Sequence, residues 1–130
     1  MYESLQQMQE ICETENKAFW ELVMEEEANE KQNSHEEVFE TMRSMYRAMV
    51  QADENYEDRR SASQMTGGAG ELMAKWNRDE KTLSGSFLGQ VMERALKMAE
   101  SNACMKRIVA APTAGSCGVL PAVMITYQKL

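Results

Sequence analysis

Arg107-Ile-Val-Ala-Ala-Pro-Thr-Ala-Gly-Ser-Cys-Gly-Val-Leu-Pro-Ala-Val123 is the stretch on which the reading of the chain turns. Its apolar opening, Ile108-Val-Ala-Ala111, is too short for a helix of its own and runs into Pro112, which biases Ala111 toward extended backbone. A loop begins there. Thr113-Ala-Gly-Ser-Cys-Gly118 packs two hydroxyls and two glycines into six residues, so several backbone N–H groups can turn toward one point. Pro121 falls in the first turn of the apolar run 119–127, where its missing N–H costs little, so the loop feeds a helix N-terminus. Free N–H groups and the positive end of the helix dipole then face the same place, which suits an anion. The competing reading is a plain loop-to-helix turn with a serine cap.

Upstream of the loop, Leu88, Val91, Met92, Ala95, Met98 and Ala99 recur at helical spacing and define a buried face over residues 86–104. Ser84, in the run Thr82-Leu-Ser-Gly85, is the expected cap. Residues 71–78 form a short helix with Leu72, Met73 and Trp76 inward. Before it, Arg59-Arg-Ser-Ala-Ser-Gln-Met-Thr-Gly-Gly-Ala-Gly70 reads as a long loop, in which Gly67 and Gly68 permit close approach to a ligand or a neighbouring helix. Ser34-x-x-Glu37 has the form of a capping box and opens the longest helix at His35, fading by Asp58, with Val38, Met42, Met45, Tyr46 and Met49 inward. Phe19, Trp20, Val23, Met24 and Ala28 mark a second helix, and Leu5, Met8 and Ile11 a first one over 2–11. The expected fold is all-α: about six helices in one domain, amphipathic helices in 1–60, motifs in 61–130, and the Gly/Ser/Thr-rich loop before the last helix.

With 130 residues and 43% hydrophobic content, the chain can bury one modest core. A net charge of −7 argues against nucleic acid, because neutralising phosphates takes clustered Lys and Arg that this chain lacks. No apolar run approaches the roughly 18 residues of a membrane span, and the acidic, amphipathic beginning is unlike a signal peptide. The expected location is the cytoplasm. Cys12, Cys104 and Cys117 are odd in number and widely spaced, which fits reduced thiols rather than a disulfide framework, and no CxxC is present. His35, the one histidine, has no second ligand in sight and reads as a solvated first-turn residue. Twelve methionines at helical spacing read mainly as core filling, with partner contact left open for the first two helices.

Asn102-Ala-Cys-Met-Lys-Arg-Ile-Val-Ala-Ala-Pro-Thr-Ala-Gly-Ser-Cys-Gly118, followed by Pro121-Ala-Val123, resembles the signature of the alpha chain of bacterial iron–sulfur-dependent L-serine dehydratase. Thr66-Gly-Gly68 and Lys81-Thr-Leu-Ser-Gly85 stand in that family's order and spacing. The resemblance implies a lyase, an L-serine ammonia-lyase that converts L-serine to pyruvate and ammonia with a [4Fe–4S] cluster in place of pyridoxal phosphate. It implies a beta chain as partner and places the cluster's cysteines in a later part of the alpha chain, beyond Leu130, so no metal ligand is expected here. Cys117 is expected to be a small packing residue.

What this chain is expected to supply is a grip on the substrate carboxylate: Thr113, Ala114, Gly115, Ser116 and Gly118, with Asn102 as a nearby amide donor. Gly67, Gly68, Ser84 and Gly85 are expected to support the loop. A Lewis acid for the departing hydroxyl would come from the cluster, and no general base is identified. Two departures from the family pattern stand out, Ala69 where an acidic residue is usual and Lys106 where a small one is. They motivate an alternative, a truncated, non-catalytic helical interaction module. Residues 124–130 end within an apolar helical pattern without a stop signal, so the natural chain is expected to continue.

Overall fold

The computed structural model describes residues 2–79 and 83–130; Glu80, Lys81 and Thr82, part of the motif before Gly85, lie outside the described residues. The described residues contain six α-helices and no strand: α1 Leu5–Glu15, α2 Phe19–Lys31, α3 His35–Glu54, α4 Ala69–Arg78, α5 Gly85–Ala103 and α6 Val119–Gln128. The all-α expectation holds. Contacts divide the chain into two compact units, residues 1–44 and 45–130, with the boundary inside α3.

In the first unit, Ser4 caps α1 by accepting from the Gln7 N–H at 3.2 Å. The helix therefore starts later than the apolar spacing implied. It also runs on to Asn16, which ends it in the left-handed conformation (φ 51°) that asparagine tolerates better than most residues. Ala18 opens α2 with no acceptor of its own, and Glu21 reaches back to the Ala18 N–H at 2.8 Å. The capping box at α3 forms as read: Ser34 N–H donates to Glu37 at 2.7 Å and Glu37 N–H to Ser34 Oγ at 3.2 Å. The Ser34 N–H, and with it the Ser34 hydroxyl donating to the same carboxylate oxygen at 3.0 Å, hold the Glu37 carboxyl below its ordinary value.

In the second unit, α5 is the central element, packed against α4 and α6. Met98, Cys117 and Ala52 form a buried cluster with Ile108 against it. Pro121, Ala122, Ile125 and Thr126 bury one face of α6. Several inward faces read from the sequence are corrected here. Leu72 (57% exposed) and Trp76 point outward from α4 while Gly70 and Ala74 are buried. Leu88, Met92 and Ala99 are exposed on α5, Phe19, Trp20 and Val23 on α2, and Leu5 on α1; Leu22 and Ala28 are the buried residues of α2. The physical reason is visible where α4 meets α5. A Cβ on Gly70 would lie 2.5 Å from Lys97 Cγ, so the helices touch through small residues and larger side chains fall to the flanks. Among the described methionines only Met49 and Met98 are buried, and Met42, Met45, Met65, Met92, Met105 and Met124 are exposed, against the core-filling expectation.

Candidate functional site

After α5 the chain turns at Met105, whose φ is 60°, and Lys106 N–H closes the helix end on Ser101 O at 3.0 Å. It then runs without regular structure to a cis Ala111–Pro112 bond. Thr113, with extended backbone, caps a single 3-10 turn, Ala114–Ser116. The two predicted hydroxyls build that turn together. Ser116 N–H donates to Thr113 Oγ1 at 3.3 Å, Thr113 N–H to Ser116 Oγ at 3.2 Å, and the two oxygens are 3.0 Å apart. Ser116 Oγ also lies 2.9 Å from Ala111 O and 3.1 Å from Thr113 O, so its proton stays within the loop.

Pro112, Thr113, Ala114 and Gly115 are exposed. The N–H groups of Ala114 and Gly115 meet no acceptor among the described residues, nor do those of Gly118, Val119 and Leu120 at the start of α6. Ala114, Gly115, Val119 and Leu120 are exposed, so unbonded backbone donors lie at the surface around a helix N-terminus, while Gly118 is buried. Asn102 reaches it from α5, its amide donating to Ala114 O at 3.2 Å. Gly118 brings the other end of the loop onto the same helix. A Cβ there would lie 2.8 Å from Ala95 O, a backbone atom. Cys117 beside it is 1% exposed, and burial pushes its thiol up, away from the reactive thiolate.

The start of α4, next after Gly67 and Gly68, is tied to α5 by Glu100, a residue outside the motifs. The Glu100 carboxylate, 4% exposed, accepts from Ala69 N–H at 2.6 Å and Gly70 N–H at 3.2 Å, and Tyr56 Oη donates to it at 2.8 Å. It caps α4, since Gly68 offers no side chain to do so. Gly67 has φ 137°, and a Cβ on it would sit 2.9 Å from Arg59 O. Arg59 Nη2 in turn donates to Cys104 O at 3.3 Å, while Cys104 Sγ lies 3.6 Å from Arg59 O.

Ser84 and Gly85 are not brought to these loops. They begin α5, about 25 Å along its axis from Asn102. Ser84 occupies the cap position without making a side-chain cap bond. Gly85 instead lines a cleft of about 540 Å³ with Ala74, Asn77, Gln90 and Glu93. The acidic residue usual after the paired glycines is Ala69 here, and Glu100 supplies a carboxylate at that helix start. Lys106, the other departure, is engaged: Nζ donates to Asn55 O at 2.8 Å and pairs with Glu57 at 3.0 Å.

Glu93, Lys97 and Glu100 share one face of α5 at spacings of four and three, a signal legible in the sequence as a polar stripe. Lys97 Nζ pairs with Glu93 at 2.9 Å and Glu71 at 3.1 Å, and Asn77 donates to Glu93 at 2.8 Å. Burial alone would lower the Lys97 ammonium, but Glu93 and Glu71 hold it above its ordinary value. Burial, then the Glu100 hydrogen bond, push the Tyr56 phenol up. Burial opposes ionisation of Glu93, yet Lys97 and Asn77 leave its carboxyl below the ordinary value. Folded Tyr56 and Lys97 keep their protons longer than the unfolded chain does. Their contribution to stability is therefore complete below about pH 10 and lost as pH rises further, while that of Glu93 is lost as pH falls below about 4.5. The melting temperature is expected to fall on both sides of that window, and Tyr56→Phe to flatten the alkaline side; an unchanged alkaline arm in that variant would contradict the assignment.

A sequence profile of the serine dehydratase alpha chain family matches residues 14–130. The chain belongs to that family. It is 28% identical to the L-serine dehydratase alpha chain of Peptoniphilus asaccharolyticus, an alignment covering 99% of this chain and 45% of the relative. It is 27% identical to the probable L-serine dehydratase alpha chain of Bacillus subtilis (strain 168), covering 99% of this chain and 43% of that one. The chain thus spans less than half the length of these serine dehydratase alpha chains. No solved structure matches it.

The residues present do not fit an iron–sulfur cluster. Cys117 is buried against Met98, Cys104 packs on Arg59 O, and Cys12 lies on α1 in the first unit. Among the described residues, no three His, Cys, Asp or Glu side chains come together as a metal site, and no helix is long and apolar enough to cross a membrane.

Proposed function

We propose that the chain is the N-terminal part of an L-serine dehydratase alpha subunit and that residues 113–118 hold the substrate's carboxylate. The observation that carries this reading is the exposed loop whose Ala114 and Gly115 N–H groups are unbonded while the hydroxyls of Thr113 and Ser116 lock its shape. A carboxylate placed there takes charge-assisted hydrogen bonds, each worth about 1.5–3 kcal/mol. The α6 dipole adds a favourable field.

In this reading the residues divide the labour. Ala114 and Gly115 offer backbone donors, and Thr113 keeps a hydroxyl at the exposed edge. Ser116 and Asn102 act by fixing the turn, one through Ala111 O and the other through Ala114 O. Gly118 sets the loop against α5. The reaction is elimination from L-serine to pyruvate and ammonia, of the L-serine ammonia-lyase type. The [4Fe–4S] cluster and the beta chain belong to the complete enzyme, with cluster ligands outside this chain.

Anaerobic reconstitution of the complete alpha chain with iron, sulfide and beta chain is expected to release pyruvate and ammonia from L-serine. This chain by itself is expected to release none. Absence of pyruvate from the reconstituted enzyme would sink the proposal. The alternative of a non-catalytic helical module rested on Ala69 and Lys106. Lys106 here joins the end of α5 to the segment after α3, and Glu100 supplies a carboxylate to the backbone N–H of Ala69.

A further inference from the structure

The last turn of α5 holds two glycine-bearing loops at once. Glu100 takes Ala69 and Gly70 on one side and Tyr56 on another, and Asn102, two residues on, takes Ala114. Cys104 closes the turn by meeting Arg59 through both its carbonyl and its thiol. Segment 56–70 and the loop 113–116 are therefore fastened to the same five residues, 100–104, at the end of α5.

A carboxylate is a costly choice for this place. An N-terminal cap is ordinarily made locally by Ser, Thr, Asp or Asn at the cap position, and burying a charge carries a desolvation penalty that such a cap avoids. The chain instead puts Gly68 at the cap and brings the acceptor from a position 31 residues away in sequence. The approach is possible because Gly70 lies against Lys97 with no side chain between them. What the distant cap gains over a local one is a fixed relation between the start of α4 and the turn that carries Asn102.

We propose that Glu100 is a positioning residue, whose carboxylate holds the Gly67–Gly68 segment and the Thr113–Ser116 loop in one frame through the last turn of α5. This rests on reading residues 113–118 as the substrate loop. Loss of the carboxylate frees the start of α4 and lets that turn of α5 shift, and the loop bound to Asn102 shifts with it. Bonds made to the substrate are then misaligned before and during reaction.

The test uses the complete alpha chain with its beta chain and three variants, Glu100→Ala, Glu100→Gln and Tyr56→Phe. Hydrogen exchange is followed in peptides covering 66–72 and 110–118, alongside steady-state kinetics with L-serine. Glu100→Ala is expected to speed exchange about tenfold in both peptides and to raise KM for L-serine by about tenfold with a smaller fall in kcat. Glu100→Gln, which keeps an acceptor oxygen for Ala69, is expected to recover most of the KM. Faster exchange confined to 66–72 would mean a local cap only and would overturn the proposal, as would unchanged KM in Glu100→Ala. Should that variant fail to fold, Tyr56→Phe decides by the same two peptides, with exchange faster in both supporting the frame and in neither or one rejecting it. If the unaltered enzyme does not turn over L-serine, the functional reading fails, and the paired exchange response still judges whether Glu100 couples the loops.

Discussion

Replacing Thr113 and Ser116 together by alanine in the complete enzyme is expected to lower kcat/KM for L-serine by about 100-fold, the scale set by misplacing a positioned group by about 1 Å. The argument comes from the way the two side chains divide their bonds. Thr113 Oγ1 accepts the Ser116 N–H, and Ser116 Oγ accepts the Thr113 N–H while reaching Ala111 O. Removing one hydroxyl leaves half of the box and costs about 1 kcal/mol, as for a lost helix cap. Removing both leaves the backbone turn bonds, Ala111 N–H to Thr113 O at 3.4 Å, Ser116 N–H to Thr113 O at 3.2 Å and Cys117 N–H to Ala114 O at 3.4 Å, with the Asn102 amide on Ala114 O at 3.2 Å. The Ala114 and Gly115 donors then lose their common direction. Ser116→Ala is expected to be the more harmful single change, because its oxygen meets four partners in the loop and Thr113 Oγ1 meets two. Kinetics of the double variant indistinguishable from the parent would remove the loop from the substrate site.

Gly118→Val is expected to cost the second unit about 3 kcal/mol or more, a large share of the stability of any domain of this size. Even the Cβ of alanine would lie 2.8 Å from Ala95 O and 3.4 Å from Ala95 Cα. Those atoms belong to the backbone of α5 and cannot swing aside as a side chain would. The helix and the loop must part, taking Cys117 out of its contact with Met98. Gly115→Ala is the control within the same loop. Its Cβ would meet only Thr113 Oγ1, at 3.8 Å, an ordinary contact, and the expected change is within about 0.5 kcal/mol. Denaturant unfolding of the complete protein, with exchange of peptides from α5 and α6 to locate the loss, checks both. Equal stability of the Gly118 and Gly115 variants would show that the close approach is not structurally important.

Elements whose causes are local follow from the order of the residues alone. The box at Ser34 and Glu37, the helix entry through Pro121, and the hydroxyl and glycine content of 113–118 all act within a few residues, so reading the chain in order finds them. Family membership was also legible there, because the run from Asn102 to Gly118 is long and specific. The inward faces were not. Helical spacing marks an apolar stripe but not the side from which a neighbour approaches, and here the close approaches are at Gly70 and Gly118. Tertiary structure also decided what the polar groups do. Ser116 turns its hydroxyl inward to the loop, Asn102 donates to Ala114 O, and Glu100 caps a helix 31 residues distant. Such bonds depend on which turns of two helices come to lie together, and that is fixed by packing across the whole unit rather than by any stretch of residues read alone.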